Sequence, residues 1–205
     1  MNIVQTPRAR RAVIGAGAVA GAIALSLGGG TAAFAATAPV GHSDIVEVVC
    51  DANGDFELTS DIVGTDVPSG TGAGQLGTYT FDYDASAQSP YVSYSGGDWV
   101  IAGGTSGSEA VIADLGFHYE FDDADICPET ITIGINVQSG SAVTFNGATS
   151  VVLTQTAPHV HGTWRIDDPD NNSATSTSSV VHFPVSGSGA GSIGTVWPAT
   201  INVGP

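Results

Sequence analysis

Apolar and polar residues alternate in short runs along most of the chain, and Gly, Asn, Asp, Ser or Pro separates one run from the next. Successive side chains of a β-strand point to opposite faces, so this period of two predicts strands with one buried face. The runs recur every ten or so positions, and long helical patterns are scarce. We therefore predict an all-β protein, an antiparallel β-sandwich of about ten short strands.

The predicted strands are separated by recognisable turn residues. Asn53-Gly54 and Asn146-Gly147 each predict a two-residue hairpin turn, because both positions must accept a positive φ. The apolar runs that predict strands cover residues 44–50, 56–63, 75–83, 98–103, 117–121, 130–137, 141–153, 159–166, 178–185 and 194–203.

The first residues have the pattern of an export signal. Three arginines precede an apolar run over residues 12–27, and Ala33-Phe34-Ala35 fits the site of a signal peptidase. We expect residues 1–36 to be a signal peptide and residues 37–205 to form a single domain. A retained anchor is the alternative, but the run is short and rich in glycine. The prediction is a secreted or surface-associated protein that is not an integral membrane protein after cleavage.

The chain beyond residue 36 is strongly acidic. It has twenty Asp and Glu residues, no lysine and a single arginine, Arg165, which gives a formal charge of −19 with histidine neutral. Such a chain has almost nothing with which to neutralise phosphates, so we exclude a nucleic-acid partner. An acidic surface also concentrates cations, although solubility outside the cell explains the same composition.

Two cysteines, Cys50 and Cys127, remain beyond the predicted signal. An even number of cysteines in an exported protein predicts a disulfide, and two cysteines allow one pairing. We expect this bond to stabilise the domain by closing a long loop of the unfolded chain.

The segment HVHGTW, residues 159–164, places two of the five histidines at alternate positions. In a strand, His159 and His161 project from one face, while Val160 and Trp164 project from the other, where core residues belong. The two imidazoles are then about 7 Å apart at Cα and can converge on one cation. Exposed strands also carry histidine by chance, so an ordinary strand remains the alternative.

A second pair of metal-ligand residues, His42 and Asp44, stands at the first predicted strand. If this strand lies beside the histidine-bearing strand, the two pairs meet. Imidazole and carboxylate form the mixed ligand set of zinc and neighbouring transition metals. The alternative is that His42 trails from a flexible N-terminus. The predicted metal ligands, with zinc as the first choice, are His42, Asp44, His159 and His161.

Two other kinds of site receive less support. Asp51, Asn53 and Asp55 alternate as in a calcium loop, but the glycine stands at the fourth place instead of the sixth, and the twelfth residue is not glutamate. A serine-hydrolase elbow between a strand and a helix is absent, and nothing singles out one pair of carboxylates. We therefore expect a non-enzymatic protein and keep a metal-dependent hydrolase as a third hypothesis.

Three motifs occur in an order that resembles a known family. They are GHSDIVEV…NGDFELTSD, then DWVI, then HVHGTWRID. On these motifs the chain resembles the actinobacterial surface-anchored protein domain, also called the choice-of-anchor M domain, over residues 41–186. The family's Pro-Gly turn after the His-x-His-x-x-Trp strand and its Gly-Pro-Gly segment have no counterpart here. No wall-sorting signal follows the domain.

The resemblance implies a surface or extracellular accessory to metal acquisition. Members of the family resemble surface proteins encoded beside metal-type ABC transporters, which implies a metal-uptake transporter or cell-envelope components as partners. Transferred by motif position, the implied ligands are the same four residues. The rival hypothesis is a structural or adhesive module that binds carbohydrate or protein without metal. Its contact face would be formed by Tyr79, Tyr83, Tyr91, Tyr94 and Trp99.

Overall fold

A computed structural model describes residues 36–68 and 75–205 of the chain. The predicted signal peptide lies outside the described residues, apart from Ala36, and stays a prediction. Among the described residues, no helix has the length and apolar character needed to cross a lipid bilayer.

Strands account for most of the described residues, and no α-helix occurs among them, which confirms the all-β prediction. The strands outnumber the ten predicted for two reasons. Three runs are each divided into two strands, as the run 159–166 is at Gly162, and three short strands lie outside the predicted runs. In chain order the strands are β1 (Ala36–Thr37), β2 (Gly41–Cys50), β3 (Phe56–Ile62), β4 (Asp66–Pro68), β5 (Tyr79–Asp84), β6 (Val92–Ser95), β7 (Asp98–Ala102), β8 (Ala113–Phe121), β9 (Thr130–Gly134), β10 (Asn136–Gly140), β11 (Val143–Phe145), β12 (Ser150–Thr154), β13 (His159–His161), β14 (Thr163–Asp167), β15 (Thr177–Gly187) and β16 (Gly191–Gly204). Two 3-10 helices cover Leu76–Thr78 and Ser108–Ala110.

The strands form three sheets. The first sheet has the order β1-β5-β16-β15-β9-β12, with β10 also paired to β15, and the second has the order β11-β14-β7-β6. The third sheet, β13-β8-β2-β3-β4, carries both predicted ligand pairs. Three pairings are parallel, namely β1 with β5, β5 with β16 and β2 with β8, so the prediction of purely antiparallel sheets is wrong. Parallel neighbours need long crossover connections, and the five strands between β2 and β8 provide one.

One hydrophobic cluster takes aromatic side chains from all three sheets. Phe117 of β8 stacks on Trp164 of β14 with ring centroids 5.5 Å apart. Phe183 of β15 meets Phe117 edge to face at 6.0 Å. Inward side chains of facing sheets that fill a common core are the packing expected of a β-sandwich.

The Asn146-Gly147 hairpin is confirmed. Both residues have positive φ, 50° and 79°, as a type I′ turn requires. Phe145 and Ala148 exchange backbone hydrogen bonds across the turn, at 2.9 and 3.0 Å.

The turn at Asn53-Gly54 is longer than predicted. Only Gly54 has a positive φ, and the connection runs from Asp51 to Asp55. The Asp51 carboxylate accepts the backbone N–H groups of Asn53 and Asp55, at 2.8 and 2.9 Å. This carboxylate therefore closes a turn, which agrees with a hairpin in place of a calcium loop.

The predicted disulfide between Cys50 and Cys127 is confirmed, with sulfur atoms at bonding distance. Cys50 ends β2, and Cys127 follows β8. The bond thus ties the end of β2 opposite to His42 to the connection that follows β8.

Removal of the disulfide should cost the protein much of its stability. The bond closes a loop of 77 residues, and loop-closure entropy of the unfolded chain then corresponds to about 4 kcal/mol. We expect the Cys50→Ala/Cys127→Ala double variant to unfold in urea with a free energy lower by about this amount. A double variant as stable as the oxidised wild type would contradict the expectation.

Candidate metal centre

Four side chains predicted as ligands converge on one face of the third sheet. His42, Asp44, His159 and His161 each offer a ligand atom, and these atoms all lie within 4.8 Å of one another. Asp44 Oδ1 is 2.9 Å from Nε2 of His159 and 3.4 Å from Nε2 of His161. The two Nε2 atoms are 3.0 Å apart, and Nε2 of His42 lies 3.4 Å from Asp44 Oδ2. The three imidazoles thus present the same ring nitrogen beside one carboxylate.

The two strands that carry these ligands are not neighbours, contrary to the prediction. β8 lies between them, antiparallel to β13 and parallel to β2. Two strand spacings separate the ligand backbones by roughly 9–10 Å. The side chains still meet because the residue between His161 and Asp44 in the register is Gly116.

The absent side chain at Gly116 makes room for the centre. A Cβ atom at this position would lie 2.3 Å from Nε2 of His161 and 2.6 Å from Cε1 of the same ring. Real Cβ atoms essentially never make such contacts. The φ of Gly116 is not among the positive values, so the glycine is needed for space and not for backbone freedom.

A β-bulge in β2 places further polar residues on the face of the site. Asp44 pairs with Gly116 and Val46 with Phe117, so Ile45 is the extra residue. Ile45 and Val46 are both fully buried. The bulge reverses the alternation of the strand, and Glu47 therefore projects from the same face as Asp44.

Asp114, which the sequence reasoning missed, supports His161 from behind. Nδ1–H of His161 donates to Asp114 Oδ1 at 3.0 Å. Asp114 is buried and also accepts the Gly104 N–H at 2.9 Å and the Ser108 hydroxyl. A carboxylate behind a metal-binding imidazole fixes the ring and its tautomer, so Nε2 faces the centre. The alternation Asp114-x-Gly116-x-His118 shows that these residues share a face of β8, but it does not show that His161 lies on the same face.

Two more carboxylates contact imidazoles around the centre. Glu109 Oε1 lies 3.5 Å from Nδ1 of His42. Glu47 Oε1 lies 3.1 Å from Nδ1 of His118, whose ring stands 5.2 Å from the ring of His159. His118 is therefore a fourth imidazole beside the centre, outside the converging set.

The electrostatics of the centre favour positive charge. Burial alone would raise the pKa of Asp44, but hydrogen bonds from His159 and His161 hold it well below its usual range. Burial alone would lower the pKa of His161, but its hydrogen bonds with Asp114 and Asp44 raise it to about 9. Without a metal, His161 is thus an imidazolium between two carboxylates at neutral pH, and an incoming metal ion must displace its proton.

The five aromatic residues proposed as the contact face of an adhesive module do not share one exposed surface, because two are buried and Tyr79, Tyr91 and Tyr94 are partly buried against the core. Tyr83 and Trp99 are buried in the core because both point inward along their strands. Tyr94 packs edge to face on Trp99 at 5.0 Å, and the Tyr91 hydroxyl donates to the carbonyl of Ser106.

Comparisons with protein-family models, with curated proteins and with solved structures find no match for this chain. The resemblance to the choice-of-anchor M domain therefore stays a prediction.

The metal-free protein should lose stability as the pH rises from about 6.5 to about 9. The pKa of His161 rises from 6.5 to about 9 on folding. Protonated His161 therefore stabilises the folded state fully below pH 6.5, and this contribution is lost as the pH rises through 9. We expect a loss of up to about 3 kcal/mol. Urea unfolding with a chelator present measures it, and Asp114→Asn should flatten the dependence. A wild-type stability that stays constant over this range would refute the assignment.

Substitution of Gly116 by alanine should break the centre. The new Cβ would displace the His161 ring from Asp44, so the pKa of His161 should fall from about 9. Imidazole NMR titration of the metal-free protein measures this shift. Glu120→Ala, on the same face of β8 but beyond His118, is the control and should leave the pKa of His161 unchanged. An unchanged pKa in Gly116→Ala would show that the ring does not depend on this space.

Proposed function

We propose that this protein binds a divalent transition metal ion, zinc in the first place, and that it is a non-enzymatic accessory to metal acquisition outside the cell. The observation that carries the proposal is the convergence of three Nε2 atoms beside the Asp44 carboxylate. Three imidazoles and one carboxylate are ligands that zinc and its neighbours among the transition metals accept.

The spacing of the ligand atoms supports a small ion. Zn–N distances of about 2.0–2.1 Å place the ligand atoms of a tetrahedral site roughly 3.4 Å apart. The contacts of Asp44 with the three imidazoles measure 2.9 to 3.4 Å. Calcium prefers six to eight oxygen ligands, and this centre offers mainly nitrogen.

The surrounding charge supports a cation. Asp114 and Glu109 stand behind His161 and His42, and Glu47 stands behind His118. The only arginine beyond residue 36, Arg165, lies 3.6 Å from Asp98 in the second sheet. A dication at the centre would offset the negative charge of these carboxylates.

The location and the partner rest on other observations. The Cys50–Cys127 disulfide is compatible with an oxidising, extracellular compartment. The signal-like residues 1–36 support export. The resemblance to surface proteins associated with metal transport supports a metal-uptake transporter, or another cell-envelope component, as the partner.

Metal analysis of the purified protein tests the proposal. We expect about one zinc ion per chain in the wild type and none in the His159→Ala/His161→Ala double variant, which loses two of four ligands. His182→Ala, on β15 of the first sheet, is the matched histidine control and should keep its metal. Equal zinc content in the wild type and the double variant would rule out this centre.

Bound zinc should also stabilise the fold. The ion would link β13 to β2 across β8, and a ligand that binds only the folded state raises its melting temperature. Thermal unfolding with zinc and with a chelator measures the shift, which should be absent in the double variant. A shift of the same size in both proteins would indicate binding elsewhere.

A further inference from the structure

The four proposed ligands differ sharply in burial. The side chains of Asp44 and His161 are 6% and 10% exposed, whereas those of His42 and His159 are both 38% exposed. We call Asp44 and His161 the inner pair, and His42 and His159 the outer pair. The centre is therefore buried on the side of the inner pair and open to solvent on the side of the outer pair.

The inner pair is held from several directions. His161 donates to Asp114, which the Gly104 N–H and the Ser108 hydroxyl fix in turn. A Cβ at Gly104 would lie 2.9 Å from the backbone carbonyl of His161, so the loop before the second 3-10 helix packs directly on this residue. His161 cannot leave the centre without breaking this packing, and Asp44 is buried within β2.

His42 is held far less firmly. Its backbone carbonyl accepts the N–H of Val63 at 3.1 Å. Its ring packs on the His161 ring with centroids 4.3 Å apart, but its ring nitrogens make only long polar contacts with the described residues. Nε2 is 3.4 Å from Asp44 and Nδ1 is 3.5 Å from Glu109, both beyond the usual N–H···O range. Glu109 itself is 60% exposed. His159 is better fixed, because its Nε2 lies 2.9 Å from Asp44.

We infer that His42 is the exchangeable ligand of this centre, and that a donor group of a partner takes its place when the metal ion is handed over. This inference rests on the proposed metal binding. The incoming imidazole, thiolate or carboxylate forms a bond to the ion as Nε2 of His42 leaves, while Asp44, His161 and His159 hold the ion. No electron is transferred. A purely structural zinc site is instead closed to incoming ligands.

The rate of metal release tests the inference. Wild-type protein loaded with zinc is mixed with increasing excess EDTA, and release is followed with a zinc-responsive dye. Exchange through an open position predicts a release rate that rises with EDTA concentration. His42→Ala should release zinc faster than the wild type, and Glu109→Gln should do so by up to about tenfold, the scale of a lost outer contact.

Equilibrium affinity separates the two pairs of ligands. His42→Ala should keep measurable zinc affinity, whereas His161→Gln and Asp44→Asn should each weaken binding at least roughly tenfold more, a step of one decade in Kd. Two inner-pair variants are used so that one that fails to fold, as judged by circular dichroism, does not decide the result. His182→Ala serves again as the control.

The outcomes distinguish the two proposals. Wild-type protein that takes up no zinc overturns the proposed function and this inference together. Zinc binding with a release rate independent of EDTA concentration overturns the exchange alone. An affinity loss in His42→Ala as large as that in His161→Gln also overturns the exchange. In both of these cases the proposed metal binding is still supported.

Discussion

The candidate metal centre depends on a steric constraint at one position of β8. Ligands on β13 and β2 are separated by a whole strand, and a side chain on the strand between them would fill the space in which their side chains meet. At Gly116 there is only a hydrogen atom, so the His161 ring lies across the β8 backbone and reaches Asp44. The centre is therefore a depression in the sheet, with Asp114 and His118 on either side of it along β8.

The opposite face of the same strand explains why this depression is stable. Leu115 and Phe117 alternate with Gly116 and are buried in the core. Trp164 stacks on Phe117, and its Nε1–H donates to the carbonyl of Leu115 at 3.0 Å. Because Trp164 follows His161 by three residues, this packing fixes the chain that carries the two ligand histidines. The hydrophobic core thus sets the position of β13 relative to β8. The positions of His159 and His161 on the polar face follow from this packing.

The ligands could be predicted from sequence because their chemistry is local. Two residues at alternate positions of a strand share a face of the sheet in any β fold, so each pair could be placed on one face from sequence alone. The arrangement of strands could not be predicted this way: alternation does not reveal that β8 separates β2 from β13 or that it runs parallel to β2. The roles of Gly116 and Asp114 depend on that arrangement, so both were missed. The bulge at Ile45 puts Glu47 on the face of the site. A strict alternation of buried and exposed positions does not predict it, because the bulge interrupts that alternation.

The distance along the chain between the ligands has a consequence for when the ion arrives. Asp44 and His159 lie 115 positions apart in the chain, and β8 lies between the strands that carry them. The two pairs of proposed ligands therefore meet only when the third sheet has formed. On the proposed function, the complete centre exists in the folded protein alone, so the ion binds where the folded protein and the metal share a compartment.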